Sequence, residues 1–216
     1  MADTIILWGT LKSRAFRCAW MLEELGLKYE LRPISYRTGE IETVDYKKIN
    51  PRRKIPALQD GSFCLCESAA INTYLADKYG RGAYVPAACT QQRALYDMWC
   101  LFIMTELDAQ CLWVYSKHVN RPEVYGTAHD AVASAKSYFK NQIMVVVDEL
   151  KTTNAFLLGD EFSALDILLT TVLRWAKRIE WLPSENANAL ATIETYLEKT
   201  MSRSAFNKTV LLSEAV

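Results

Sequence analysis

A chain of 216 residues, half of them apolar and 23% charged, with a formal net charge of zero, has an ordinary globular mix that excludes disordered, fibrous and membrane-spanning classes. The balanced charge, with no run of five like residues, lacks the footprint of a nucleic-acid or anionic-membrane binder and leaves small molecules and proteins as partners. This length suits one domain or two.

In chain order, Thr4-Ile5-Ile6-Leu7-Trp8 reads as a short buried strand. From Ser13 to Leu25 the apolar positions Phe16, Ala19, Trp20 and Leu22 fall mostly at helical spacing, and Gly26 stops the run. The apolar run 5–8 soon meets Lys12 and Arg14, too short for a secretion signal or a span, so the expected address is the cytoplasm. Residues 28–34 predict a second strand, which makes the opening a βαβ unit with a parallel crossover. Residues 42–49 predict a short helix. Ile55 to Leu58 and Ser62 to Cys66 predict an antiparallel pair turning at Asp60-Gly61, and Ser68 to Tyr79 predict a helix that Gly80 and Gly82 end.

Beyond residue 82 the strand signals vanish. Helical patterns cover 89–118, 122–152, 163–180 and 187–201, so the second half is expected to be all-α, with a linker at 81–88. The six cysteines, at 18, 64, 66, 89, 100 and 111, show neither paired CxxC knuckles nor the density of a disulfide scaffold, and they read as reduced thiols. Cys64 and Cys66 would share one face of a strand, where a core role is preferred to metal ligation. His118 and His129 have no partner at motif spacing and read as surface or partly buried residues; no metal is expected.

Several motifs occur in register along this chain. They are Ser13-Arg14-Ala15-Phe16-Arg17 leading into Trp20-Met21-Leu22-Glu23-Glu24-Leu25-Gly26, Asn50-Pro51-Arg52-Arg53-Lys54-Ile55-Pro56-Ala57-Leu58, Glu67-Ser68-Ala69-Ala70-Ile71, and Phe156-Leu157-Leu158-Gly159-Asp160 with Phe162-Ser163-Ala164-Leu165-Asp166. Together they resemble the cytosolic glutathione transferase family, in a serine-type, theta-like form. The resemblance implies an α/β thioredoxin-like N-terminal domain at 1–80 that binds glutathione, followed by an all-α C-terminal domain at 89–216 that contributes the site for a small hydrophobic electrophile. It also implies glutathione as co-substrate and a homodimer.

The resemblance further implies that Ile55-Pro56 is a cis bond, leaving Ile55 to pair main chain to main chain with the cysteinyl part of glutathione. Glu67 and Ser68 would take the γ-glutamyl end, where a helix's first-turn N–H groups and partial positive charge suit a carboxylate. The residues alone favour Ser68 as a cap of its own helix, and it is the company of Ile55-Pro56 that favours ligand binding. Lys54, and less strongly Arg53, could meet the glycyl carboxylate, although the family commonly has a glycine where Arg53 stands, which bears on the loop's shape.

Ser13, at the mouth of the first helix, is the catalytic choice, with Thr10 in the same turn as its rival. A thiol with a pKa of about 8.5 is only a few per cent ionised at neutral pH, and bringing it to about 6.5 takes roughly 2.7 kcal/mol of thiolate stabilisation. One charge-assisted hydrogen bond of about 1.5–3 kcal/mol and a helix terminus nearly supply that. An ordinary cap is the alternative role for Ser13. Cys18 is expected to face the core, with a glutathionyl-disulfide route left open. Trp8, Leu11, Met104, Leu107 and Trp113 are candidates for the hydrophobic substrate. Ser163 to Asp166 read as a capping box flanked by Phe162 and Ile167, a folding role. Conjugation is not separated from lyase, dehalogenase or peroxidase chemistry, and a non-catalytic protein on the same fold is the second class. A glutaredoxin-like enzyme would want a cysteine where Ser13 stands.

Overall fold

The computed structural model describes residues 4–37, 39–153 and 155–215. By packing, it divides into unit 1, Met1–Val85 with Ser202–Val216, and unit 2, Pro86–Met201.

Unit 1 is built on a four-stranded sheet of order β2-β1-β3-β4, formed by β1 (Ile5–Trp8), β2 (Tyr29–Arg32), β3 (Ala57–Asp60) and β4 (Phe63–Cys66). β1 pairs parallel to β2 across helix α1 (Ala15–Glu24) and antiparallel to β3, and β3 turns into β4 at Gly61-Ser62. This is the mixed sheet that the spacing predicts. Residues on one sheet face, Leu7 and Leu58 among them, are fully buried, as are Ala19, Trp20 and Leu22 of α1 and Ile71 and Leu75 of α3 (Ser68–Tyr79). Of the paired cysteines, Cys64 and Cys66 are half-buried rather than core. The opposite face carries Trp8, whose ring lies 5.7 Å from that of Tyr46 on the short α2 (Val44–Ile49).

Where helical patterning groups 89–216 together, packing returns the last fifteen residues to unit 1. They form α10 (Ser204–Ala215), a helix whose scattered apolar positions gave no periodic signal. Phe206 packs edge-on against Phe16 and Trp20 of α1, with centroids 5.8 and 4.9 Å apart. Arg203 binds the nearly buried Glu24 carboxylate through two nitrogens at 2.6 and 2.7 Å, and Lys208 meets Glu23 at 2.6 Å. A two-point guanidinium contact fixes orientation as well as distance.

Unit 2 is all helical. α4 (Gln91–Phe102) and α5 (Trp113–His118) are joined without a break by a π stretch, Ile103–Leu112. The pattern over 122–152 divides at Gly126, whose positive φ of 72° ends α6 (Pro122–Tyr125) before α7 (His129–Thr153). α8 (Ala164–Arg178) runs through the core and α9 (Ala187–Met201) follows. At the start of α8 the buried Asp166 carboxylate accepts from the Ser163 N–H (2.8 Å), the Ser163 hydroxyl (2.9 Å), the Leu157 N–H (3.0 Å) and the Tyr196 hydroxyl (2.8 Å). Burial raises its pKa and the four donors oppose that rise. The capping box is therefore a folding element. No helix among the described residues is long and apolar enough to cross a membrane.

Candidate active site

The C-terminal end of β1 and the N-terminal ends of α1 and α3 bring most of the unit 1 candidates together. Gly9 opens the turn at φ 130°, and a Cβ there would lie 3.0 Å from the Cβ atoms of both Ala15 and Ile55. A side chain at this position would force apart α1 and the Ile55 segment, so glycine permits their close approach. The turn is tied to β2 and beyond by Gly9 N–H to Arg32 O (2.8 Å) and Thr10 N–H to Ile34 O (2.9 Å).

Ser13 is half-buried in that turn. Its hydroxyl donates to the Thr10 carbonyl at 2.6 Å and accepts from the Ala15 N–H at 3.1 Å. The proton that a thiolate would need is thus engaged with a neutral carbonyl, and rotation of one side-chain torsion would free it. A neutral hydrogen bond contributes about 0.5–1.5 kcal/mol and a bond to an ionised group about 1.5–3, so an anion nearby favours the exchange. The Thr10 hydroxyl oxygen accepts a long contact from the Lys12 N–H, 3.4 Å. Cys18 is completely buried, and burial raises its thiol pKa with the Arg17 charge opposing, so it is a neutral core group.

Ile55 precedes Pro56 through a cis peptide bond. The sheet ladder begins at Ala57, leaving Ile55 outside it. The Lys54 carbonyl just before it accepts from the Tyr46 hydroxyl and the Asn50 side-chain amide, both at 2.6 Å, which fixes the edge from behind. Arg53 occupies the left-handed region at φ 52° and its guanidinium reaches Glu42. The backbone there keeps a conformation that suits glycine although the side chain is arginine.

Glu67 is also left-handed, at φ 70°, and Arg52 binds its carboxylate at 2.5 Å. Both partners are exposed, so the pair contributes at most about 1 kcal/mol; it ties the 50–54 loop to the start of α3. Ser68 is the first residue of that helix and is buried, and no side chain caps the terminus. Its hydroxyl oxygen accepts from Arg17 Nη1 at 3.2 Å, and the Arg17 carbonyl accepts from the Asn72 amide at 3.3 Å. Arg17, only 2% exposed, is a candidate site residue that sequence reasoning missed. It stands in the quoted Ser13-to-Arg17 motif, four residues after Ser13, but nothing in the sequence shows that it lies beneath Ser68.

The hydrophobic-substrate candidates divide. Leu11 in unit 1 and Leu107 in unit 2 are buried and offer no free surface, whereas Trp8, Met104 and Trp113 are partly exposed. His118 is half-buried against the Gly126 carbonyl at 2.8 Å and His129 is exposed. Among the described residues no group of three or more metal-ligating side chains converges.

Residues 3–77 match the family described as glutathione S-transferase, N-terminal domain. The chain is 29% identical over 170 residues to glutathione S-transferase theta-3 of Mus musculus, covering 77% of this chain and 70% of that one. Its fold is similar to that of a solved glutathione transferase from Methylococcus capsulatus, at TM-score 0.84 and 25% identity over 99% and 100% of the two chains. It is also similar to a theta-class enzyme from Xanthomonas axonopodis pv. citri crystallised with glutathione, at TM-score 0.75 and 26% identity over 96% and 97%. With the mixed sheet and the helical second half observed directly, these likenesses establish that the chain belongs to the glutathione transferase family.

Proposed function

We propose that this glutathione transferase holds its tripeptide in unit 1, with the γ-glutamyl carboxylate at Ser68 and the uncapped start of α3, the cysteinyl backbone along Ile55, and the glycyl end toward Lys54. The single observation that carries the reading is Arg17 beneath Ser68. A buried guanidinium donates to the hydroxyl oxygen, so the Ser68 proton is left to meet an acceptor, at a helix terminus that already favours an anion. Glu67, held by Arg52, orients the γ-glutamyl end.

Ser13 stabilises the thiolate by exchanging its bond to Thr10 for one to sulfur, and Thr10 stands ready in the same turn. The thiolate then attacks a small hydrophobic electrophile, for which unit 1 offers the partly exposed Trp8. We assign the protein to the cytoplasm as a homodimer of theta-like subclass, on its likeness to the family.

Replacing Ser13 tests the assignment. Ser13→Ala should lower kcat/KM by about 10- to 150-fold, from the roughly 1.5–3 kcal/mol of one charge-assisted bond. Glutathione affinity should change little, and the apparent thiol pKa read from thiolate absorbance should rise. A variant that kept both the parent's thiol pKa and its rate would transfer the role to Thr10. A Ser13 acting only as a local cap would show up instead as a loss of about 0.5–2 kcal/mol in stability with turnover intact.

A further inference from the structure

Two thiols stand side by side on an edge strand of the unit 1 sheet. Cys64 and Cys66 are two positions apart on β4, and side chains at that spacing leave a strand on the same face. The register fixes which face. Trp8 stands opposite Ala57, Ala57 opposite Cys66, and Gln59 opposite Cys64. Both thiols therefore share the Trp8 side of the sheet rather than the side that buries Leu7 and Leu58. Ala57 offers only a methyl group beside Cys66, and the Gln59 side-chain amide donates to the Gly61 carbonyl at 3.2 Å. Both cysteines are half-buried, whereas Cys18 and Cys111 are buried and Cys89 and Cys100 lie more than ten positions from any other cysteine in the chain.

Same-face neighbours along one strand are about 6.6–6.8 Å apart, twice the rise per residue. A disulfide needs Cβ atoms about 3.5–4.5 Å apart, so this pair does not close one without moving the backbone. An ion held between the sulfurs removes the conflict. With metal–sulfur bonds of about 2.3 Å, a linear S–metal–S unit puts the two sulfurs about 4.6 Å apart, a separation that rotating the two side chains toward each other reaches. Thiolate ligands select soft ions such as Cu(I). Among the described residues no group of three or more metal-ligating side chains converges, which leaves two ligands here where structural zinc takes four. Burial raises the pKa of the Cys66 thiol, the Glu67 carboxylate adds to the rise and the Arg52 charge opposes it. A thiol kept protonated is a poor nucleophile, but a metal ion displaces that proton directly.

We propose that Cys64 and Cys66 form a two-thiolate site for a single soft, two-coordinate cation, Cu(I). Each thiol gives its proton to solvent as the ion binds, and no electron is transferred. The site adjoins Glu67 in sequence but uses none of the residues given to glutathione, so the two assignments fail separately. Titrations omit glutathione, whose own thiol would bind Cu(I).

Reduced protein is titrated with Cu(I) under argon in competition with bathocuproine disulfonate, a chromophoric Cu(I) chelator. The parent should hold a single ion per chain, copper should protect a pair of thiols from a thiol-counting reagent, and X-ray absorption should show two sulfur neighbours. Cys64→Ser and Cys66→Ser should each weaken binding at least about 100-fold, the low end of what a second tethered ligand adds. Cys89→Ser should stay within about twofold of the parent, and an equal concentration of Zn(II) should leave the copper in place. A parent that yields all its copper to the chelator, one ion shared between two chains, or Cys64→Ser and Cys66→Ser variants that bind as the parent does overturns the proposal. Thermal melts of the metal-free variants separate loss of the site from loss of the fold, and the sulfur count in the parent decides without any variant.

Discussion

Ser13 of unit 1 and Ser163 of unit 2 each stand just before a helix, and they are held differently. Ser163 is buried, and its hydroxyl and N–H both go to Asp166, whose carboxylate also takes Leu157 and Tyr196. Ser13 is half-exposed, and both its hydroxyl bonds go to backbone groups within its own turn. The first network binds residues up to thirty positions apart and leaves no acceptor for a ligand; the second is local and can exchange one partner at little cost. Motifs of similar appearance therefore serve folding in unit 2 and, on the proposed reading, chemistry in unit 1.

The sharpest way to break the comparison is to remove Asp166. Asp166→Ala orphans buried donors that each cost about 1–3 kcal/mol when unmet. Since Tyr196 and the Ser163 hydroxyl can rotate, a total loss of about 3–5 kcal/mol is expected. At about 2–4 °C per kcal/mol for a chain of this length, the melting temperature should fall by roughly 6–20 °C. Glutathione affinity per folded molecule should be unchanged. A variant that melts like the parent would show that the network contributes nothing net.

Arg17 tests the other side, with a smaller effect on a different observable. Arg17→Met removes the donor to Ser68 and replaces a buried charge with an apolar side chain of similar length, and a thermal melt reads separately what the loss of a buried donor does to stability. Glutathione binding by calorimetry should weaken about tenfold, about 1.4 kcal/mol, and Ser68→Ala should weaken it similarly. The double variant should lose less than the two losses combined, because both act on one carboxylate. Full affinity in Arg17→Met would remove Arg17 from the site.

The parts of this protein that sequence revealed are those where local chemistry repeats. The strands, the Asp60-Gly61 turn and the capping box each carry their own signal within a few residues. The π stretch did not, because Ile103–Leu112 has an unremarkable helical composition and differs only in how its backbone is bonded. α10 was missed because its place depends on Arg203 and Phe206 meeting Glu24 and Trp20 of α1, 179 and 186 positions earlier. Arg17 was quoted as part of a motif, but its contact with Ser68 spans 51 positions. Burial turned Leu11 and Leu107 from pocket candidates into core, which composition alone cannot distinguish from a lining residue. Strain was signalled only by contrast, at Arg53, where the family commonly places glycine.

Arg53 gives the smallest and most specific test. At φ 52° a side chain costs about 1–2 kcal/mol relative to ordinary backbone, and the Glu42 pair, exposed on both sides, returns at most about 1 kcal/mol. Arg53→Gly removes both effects and adds freedom to the unfolded chain, so its net change should lie within about 1 kcal/mol of zero. Arg53→Ala also loses the ion pair but keeps the Cβ. The difference between the two variants therefore isolates the backbone term, with glycine expected to be the more stable by about 1 kcal/mol in denaturant unfolding. If alanine equals or exceeds glycine, the left-handed geometry carries no cost here. If the expected order holds while glutathione affinity is the same in both, the loop before Ile55 keeps its shape through the Lys54 carbonyl's bonds to Tyr46 and Asn50, and the arginine is tolerated there without being required for it.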